Sequence, residues 1–502
     1  ELEQAQPFAP SLSPSLETSR PSEPASVRLE AAGSRSSVPA HYEAVLDAAT
    51  LTRVIDRCLA AGVCALDTET TSLDPLHADL VGFSLCCEEG IAWYVPIINP
   101  EGQSVGIEAA RHALARLAGM ETDHQAWAGS AAAPSKEVQT TAGAPAATGT
   151  ELVLVGHNIK FDLHVLARLG IRVRRPLFDT MIAAWVLDAE ALSFSLSTLA
   201  SRHLGLEGLA FDEVVPKGST FADVALSPAT QYACEDADFT YRLYRHFREA
   251  LESEGLSKVF YEIEMPLIPI LAEMEEHGIR VDAGKLRAYG AELEIEMGRI
   301  EQEIYKLVGH PFNIASPKQL AEVLFGERKL PIQKRTRTGI STDVSVLEEL
   351  APLDPVPELI LRYRMLAKLK STYVEPLAQL AERWGRIHTT YLQTGAATGR
   401  LSSRDPNLQN IPIREEEGRR IRDAFIAEPG HVLISADYSQ IELAVLAHLS
   451  RDPNLLAAFR EGVDIHRRTA SFIFGIPESE VDASQRRIAK TINFGVIYGM
   501  SA

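Results

Sequence analysis

The stretch GVCALDTET, residues 62–70, is an apolar run that closes on two acids spaced two apart, Asp67 and Glu69. Residues i and i+2 of a strand share a face, so the two carboxylates project together from the strand's end. A D-x-E triplet alone is a common accident, and a solvated strand end accounts for it equally well. Two further segments change that balance. In LVLVGHNIKFDLHVL the apolar run Leu152–Val155 ends, Asn158 stands where a helix should begin, and Asp162 follows one turn later on the same face. In LSPATQYACEDADFTYRLYRHF, Ser227 and Pro228 read as a helix start, and Tyr232 and Asp236 are neighbours at i and i+4. Glu235 and Asp238 flank that pair and are expected to face water.

Working outward, the apolar runs Gly62–Leu66, Leu80–Leu85 and Leu152–Val155 alternate with amphipathic segments, the pattern of a mixed α/β domain over residues 43–257. Before it, residues 1–42 are rich in Pro, Ser, Ala and Glu and read as a tail or linker. A second such stretch, about 120–150, reads as a surface insertion, because strand and helix signals resume on both sides. From residue 258 to about 382 long amphipathic helices take over, with Ser316 and Pro317 as a plain helix start. Strand signals return in HTTYLQT and HVLISADYS.

At 502 residues the chain needs several cores, and 46% apolar with 23% charged residues is ordinary for a folded soluble protein. The five cysteines lack zinc-type spacing, and there is neither a membrane-length apolar run nor a signal segment, so a reducing, cytoplasmic setting is expected. The net charge of −19 speaks against a phosphate-bearing partner, since phosphates are neutralised by Lys and Arg. The distribution of charge matters more than the sum. Basic residues gather late, at Arg362, Arg364, Lys368 and Lys370, between Arg400 and Arg422, and at Arg486, Arg487 and Lys490. Taken alone these are solvated helix faces.

Asp67, Glu69, Asp162 and Asp236 form a hard-oxygen set of the kind that holds two Mg²⁺ ions (or Mn²⁺), and a tyrosine one turn from a ligand can orient an attacking water. The five positions resemble the three exonuclease motifs of the DnaQ-like proofreading domains, in the Tyr-x-x-x-Asp version. The resemblance implies an RNase H-like α/β fold and metal-dependent removal of 3′ ends from single-stranded DNA.

The later segments resemble family A DNA polymerases. ATGRLSSRDPNLQNIPIR carries Arg400, Asn407, Gln409 and Asn410 and is similar to the primer-template-binding segment. Donors of these types suit minor-groove acceptors that recur in every base pair, and the closeness of the resemblance sets aside an ordinary loop built on Asx turns. HVLISADYSQIELAVLAHLS is similar to motif A, which implies that Asp437 holds both polymerase metals and that Glu442 excludes a ribose 2′-hydroxyl. Where the family usually has Arg two residues after that Glu, this chain has Ala444, which removes a supporting ion pair. DIHRRTASFIFGI and SQRRIAKTINFGVIYGMSA complete the resemblance, the second being similar to motif B. Arg486, Lys490, Phe494 and Tyr498 recur every four residues along one helical stripe, cationic for a triphosphate at one end and aromatic for a base at the other. Gln440 and His466 are implied as further substrate contacts, and Phe494 implies discrimination against dideoxynucleotides.

The implied organisation is an α+β right hand after the exonuclease domain, with a helical thumb at about 282–382, part of a palm at about 383–450, and the start of the fingers at about 451–502. Its basic tip, Lys334 to Arg337, together with Arg364 and Lys368, is expected to meet duplex phosphates. The implied partners are primer-template DNA, single-stranded 3′ ends and deoxynucleoside triphosphates, bound by a monomer acting in replication and repair. The sequence ends at Ala502 within motif B, before the His-Asp-Glu of motif C, so exonuclease activity and DNA binding are expected of it, and primer extension is not. A free-standing exonuclease with a DNA-binding half, and a binding module without chemistry, are the rival readings. The complete acid set opposes the second, and Asp437, Glu442 and the nucleotide stripe oppose the first.

Overall fold

The structure, a computed structural model, describes residues 40–120, 151–336, 339–412, 416–438 and 440–497. The N-terminal stretch up to residue 39, the insertion at 121–150, Arg337 and Tyr498 lie outside the described residues. The chain divides into two compact units, Glu1–Phe425 and Ile426–Ala502. The sequence placed a boundary near 257. The first unit holds two hydrophobic cores in succession, one ending at Ile268 and the next beginning at Val281.

The first core is built on a six-stranded sheet: β1 His41–Ala44, β2 Val63–Thr70, β3 Leu80–Glu88, β4 Ile91–Pro96, β5 Val153–Gly156 and β6 Leu177–Asp179, in the order β1-β4-β3-β2-β5-β6. β2 runs antiparallel to β3 and parallel to β5. Eight consecutive residues of β3 are buried, which requires cover on both faces. Helices α1 Ala48–Ala61, α2 Ile107–Leu117, α3 Lys160–Arg168, α4 Thr180–Leu187 and α5 Leu226–Ser253 supply it. Asp47 caps α1 through the Thr50 amide, and Gly62 at φ 73° ends that helix and turns the chain into β2. The αL conformation suits glycine there.

Helix α6 Met265–His277 enters the first core through Met265 and Ile268. The second core lies among α7 Ala283–Val308, α8 Pro355–Leu369 and α9 Glu375–Trp384, with Leu286, Leu293, Ile300, Ile360 and Leu377 buried. Ser316 caps the short helix Pro317–Ala321, as its sequence indicates. A two-stranded ladder joins β7 Thr390–Leu392 to β8 Ser402–Arg404. In the second unit, α10 Ile441–Ser450, α11 Pro453–Glu461, α12 Ile465–Phe474 and α13 Ala483–Ile497 pack on small cores around Leu443, Ala458 and Ile465, and around Ala470, Val481 and Ala489.

The strand expected at HVLISADYS does not form: residues 431–438 carry no strand, and Val432, Leu433 and Ile434 are exposed. A strand needs a neighbouring edge for its amides and carbonyls, and among the described residues none pairs with this segment. No described helix is long and apolar enough to cross a membrane.

Candidate active site

β2 presents Asp67 and Glu69 on one face near its end, opposite Ser84 and Gly82 of β3. Gly82 is constrained by its neighbour: a Cβ there would stand 2.4 Å from the Tyr94 hydroxyl. The buried Tyr94 phenol therefore lies against the strand beside Glu69, and burial and the Glu69 charge push its pKa up. α5 brings Asp236, and oxygens of Asp67, Glu69 and Asp236 lie within 4.8 Å of one another.

Three carboxylates so close cannot all ionise without a cation among them. Burial pushes Asp67 up to about 6. Glu69 and Asp236 rise well above the usual carboxylate range, through burial first and then neighbouring negative charge. Glu69 Oε1 is buried without a hydrogen-bond partner. An orphaned, electron-rich oxygen facing two more carboxylates is what a hard divalent cation satisfies, so the residues fit Mg²⁺. Tyr232, one turn before Asp236, interacts with its carboxyl, and burial raises the phenol's pKa so that it stays protonated.

Asp162 is the fourth expected ligand, and its position is different. It stands in the first turn of α3 and accepts from Thr68 Oγ1 at 2.6 Å, outside the group of three. It is close enough to feel Asp67, and burial together with that charge raises its pKa. Asn158 does not cap α3: it sits at φ 61°, two residues before the helix. The α3 approach is fixed instead by Asp179, which accepts from the amides of Asn158, Ile159, Met181 and Ile182 at 2.8–3.2 Å. Sequence reasoning missed Asp179, although an Asp directly before a helix is a capping signal. Thr68 carries no such signal.

Two expectations for α5 fail. Asp238 does not face water: it is 2% exposed and accepts from the Tyr42 hydroxyl, the Gly90 amide and Arg242. Burying it fastens α5 to β1 and to the turn before β4. Glu235 is half-buried and accepts from the Leu209 amide. The helix start read at Ser227 and Pro228 lies within one residue of the observed start at Leu226, where Ala225 offers no capping side chain.

The polymerase-like residues are more dispersed. Arg400, Asn407, Gln409 and Asn410 lie exposed on the loops around β8. Asn407 Oδ1 accepts from the amides of Gln409 and Asn410, so the Asx-turn reading set aside from sequence describes what this carboxamide oxygen does. Gln409 Nε2 donates to the Leu401 carbonyl. Arg364 is half-buried and donates to the Thr342 carbonyl and hydroxyl, so its guanidinium is not wholly available to phosphates, whereas Lys368 is exposed. Lys334 pairs with Asp343 at 2.9 Å.

In the second unit Asp437 is exposed, and the group of three or more metal-binding side chains found among the described residues does not include it. Glu442 lies in the first turn of α10, and Gln440 precedes that helix at φ 58°. His466 is buried, with Nδ1 3.1 Å from Asn493 Nδ2 and its ring 5.8 Å from Phe494, so it supports α13 from α12. Burial first, then Arg486, lowers its pKa. Arg486 pairs with Asp464 at 2.7 Å, and the Lys490 ammonium lies 5.8 Å from the Phe494 ring.

Comparison with known proteins agrees with this division. Residues 283–502 match DNA polymerase family A, and residues 144–252 match a 3′-5′ exonuclease family. The second match includes Asp162, Tyr232 and Asp236 but begins after Asp67 and Glu69, whose membership of the site rests on the geometry of β2. DNA polymerase I of Treponema pallidum is 48% identical over 92% of this chain and 47% of its own length. DNA polymerase I of Pseudomonas aeruginosa is 43% identical over 92% and 49%. The POL domain of Pol1 from M. smegmatis, solved in complex with DNA primer-template and dNTP, superposes with a TM-score of 0.71 at 31% identity, over 91% of this chain and 72% of that one. A mixed α/β region with a buried acidic cluster is thus followed along the chain by helical segments that match DNA polymerase family A. The chain belongs to the family A DNA polymerases. It spans about half the length of the curated relatives it matches.

Proposed function

We propose that the protein is a DNA-directed DNA polymerase with a 3′→5′ proofreading exonuclease, acting in replication and repair. The exonuclease half rests on one observation: the convergence of Asp67, Glu69 and Asp236 within 4.8 Å, with Glu69 Oε1 left without a partner. These three residues, with the buried Asp162 near Asp67, would hold two Mg²⁺ ions, Mn²⁺ serving as a substitute. Such a pair, when bound, stabilises the attacking and leaving oxygens of a phosphodiester. The chain's own contribution is positional. Tyr232 keeps its proton and orients a water for attack at the terminal phosphorus, while Asp236, paired with it, fixes the phenol's direction.

The polymerase half rests on the match at residues 283–502. In this reading residues 282–382 are the thumb, 383–450 the palm segment and 451–502 the start of the fingers. Arg400, Asn407, Gln409 and Asn410 contact the primer-template minor groove. Asp437 and Glu442 serve nucleotidyl transfer, and Gln440, His466, Arg486, Lys490, Phe494 and Tyr498 receive the deoxynucleoside triphosphate. For residues 1–502 alone, exonuclease activity and DNA binding are the activities to expect, since Asp437 stands exposed and outside the carboxylate group found among the described residues.

Degradation of a 3′-labelled single-stranded oligonucleotide in Mg²⁺ tests the first half. The variant carrying Asp67→Ala and Glu69→Ala is expected to lose at least about 1,000-fold in rate while keeping its far-ultraviolet dichroism. Degradation at the parent's rate would refute the assignment.

A further inference from the structure

Helix α3, which carries Asp162, is held from two sides. On one, Thr68 of β2 donates to Asp162. On the other stands Glu275 of α6, buried at 3% exposure. Its carboxylate accepts from Lys160 Nζ and, at 2.6 Å, from His164 Nε2. Lys160 and His164 are i and i+4, so one carboxylate grips one whole face of the helix. The same carboxylate reaches a third element: Oε1 accepts the Tyr391 amide at 2.6 Å, and Lys160 also donates to the Tyr391 carbonyl. The Glu275 carbonyl in turn accepts from His388 Nδ1 at 2.8 Å. Tyr391 lies in β7, paired with Ser403 of β8, in the ladder whose loops carry Arg400 and Asn407.

We infer that Glu275 is a positioning residue for two sites at once, setting the helix that carries Asp162 and the ladder that carries Arg400 with a single carboxylate. The inference rests on the exonuclease reading for what Asp162 does. The physical argument is one of charge and burial. Lys160 is buried, and its ammonium has few other acceptors, so its position follows Glu275. Gln at 275 keeps the volume but offers one oxygen in place of two, and it turns an NH₂ group toward a donor. α3 and β7 should then loosen together. A side chain that only filled space would loosen neither when replaced by its isostere.

The test uses the full chain with Glu275→Gln, read by amide hydrogen exchange and by steady-state degradation of a single-stranded oligonucleotide. Exchange is expected to quicken about tenfold in residues 160–168 and at Tyr391, with Val63–Leu66 unchanged. kcat is expected to fall about ten- to a hundredfold with KM within about twofold, the signature of a misplaced group and not of lost binding. Faster exchange in one segment only, uniformly faster exchange, or an unchanged kcat with both segments loosened would each overturn the inference. If the single variant folds poorly, the double variant Lys160→Met, Glu275→Met removes the buried charges together. It should regain stability without regaining kcat, and a recovered kcat would count against the inference. A parent that degrades no DNA would refute the exonuclease reading, while the exchange experiment would still decide the shared support.

Discussion

Two acidic loci of this chain contrast in how much the fold does for them. Around Asp67, Glu69 and Asp236 a six-stranded sheet and a long helix force carboxylates together and bury them, with Glu69 at 7% exposure. Around Asp437 the backbone forms no helix or strand over residues 431–438, and the side chain is exposed. The first arrangement is electrostatically unfavourable as it stands, and its cost is offset by core packing elsewhere in the unit. The second costs nothing and preorganises nothing. The difference teaches that a matching motif and a built site are separate facts: both loci carry family signatures, and one of them already has the geometry of a cation site.

The largest effect that would break this comparison is catalytic. Asp437→Ala should leave 3′-end removal by residues 1–502 within about twofold of the parent, against the loss of about 1,000-fold or more for the Asp67 and Glu69 pair. An equal loss in both variants would mean that the two loci act as one site. Primer extension by residues 1–502 should stay at background in either case, and efficient extension would mean that Asp437 is more fully partnered than its exposure indicates.

Packing should separate the regions as well. Phe178 is fully buried against Tyr244 and Phe260, so Phe178→Ala should cost about 3–5 kcal/mol in denaturant unfolding. Phe472 of the second unit is 90% exposed, and Phe472→Ala should stay within about 0.5 kcal/mol. Comparable costs would show that the second unit has a core of the first unit's quality.

The network behind α3 gives a pH dependence. Burial alone would raise the Glu276 pKa, but the nearby His164, its Nδ1 3.6 Å away, and the hydrogen-bonded Arg172 guanidinium outweigh it and hold the group at about 2, below its ordinary 4.5. A depressed carboxylate stabilises the fold above its unfolded pKa and loses that contribution as pH falls through the folded value. Stability should therefore decline between about pH 4.5 and pH 2, and Glu276→Gln should flatten this part of the profile. An unchanged acid limb would contradict the ion pairing. The smallest effect concerns DNA: Lys368→Ala should reduce the salt slope of duplex binding by about 1, and Arg364→Ala by less, because Arg364 is engaged with Thr342. Equal reductions would place Arg364 on the phosphates after all.

How far these features were legible depended on how local they are. Strand period and helix spacing in the chain were enough to bring forward Asp67, Glu69, Tyr232 and Asp236, since each pair is set by a single element. Asp238 was misread because an acid on a helix face is exposed by default, and only the fold brings Tyr42 and Gly90 to bury it. Asp162 accepts from Thr68, a residue with no signal in the sequence, and lies outside the group of three while still feeling Asp67. The strand at HVLISADYS was read from its apolar run, and a strand exists only with a partner edge. Glu275 lay in a stretch that read merely as an amphipathic helix, because its three partners come from residues more than a hundred positions away.

The contrast itself is tested most directly by calorimetric titration of the metal-free chain with Mn²⁺, run on the parent, on the variant carrying Asp67→Ala and Glu69→Ala, and on Asp437→Ala. The account predicts a saturable binding event in the parent that is lost in the double variant and unchanged in Asp437→Ala. Undiminished binding by the double variant, or its loss on replacing Asp437 alone, would contradict it.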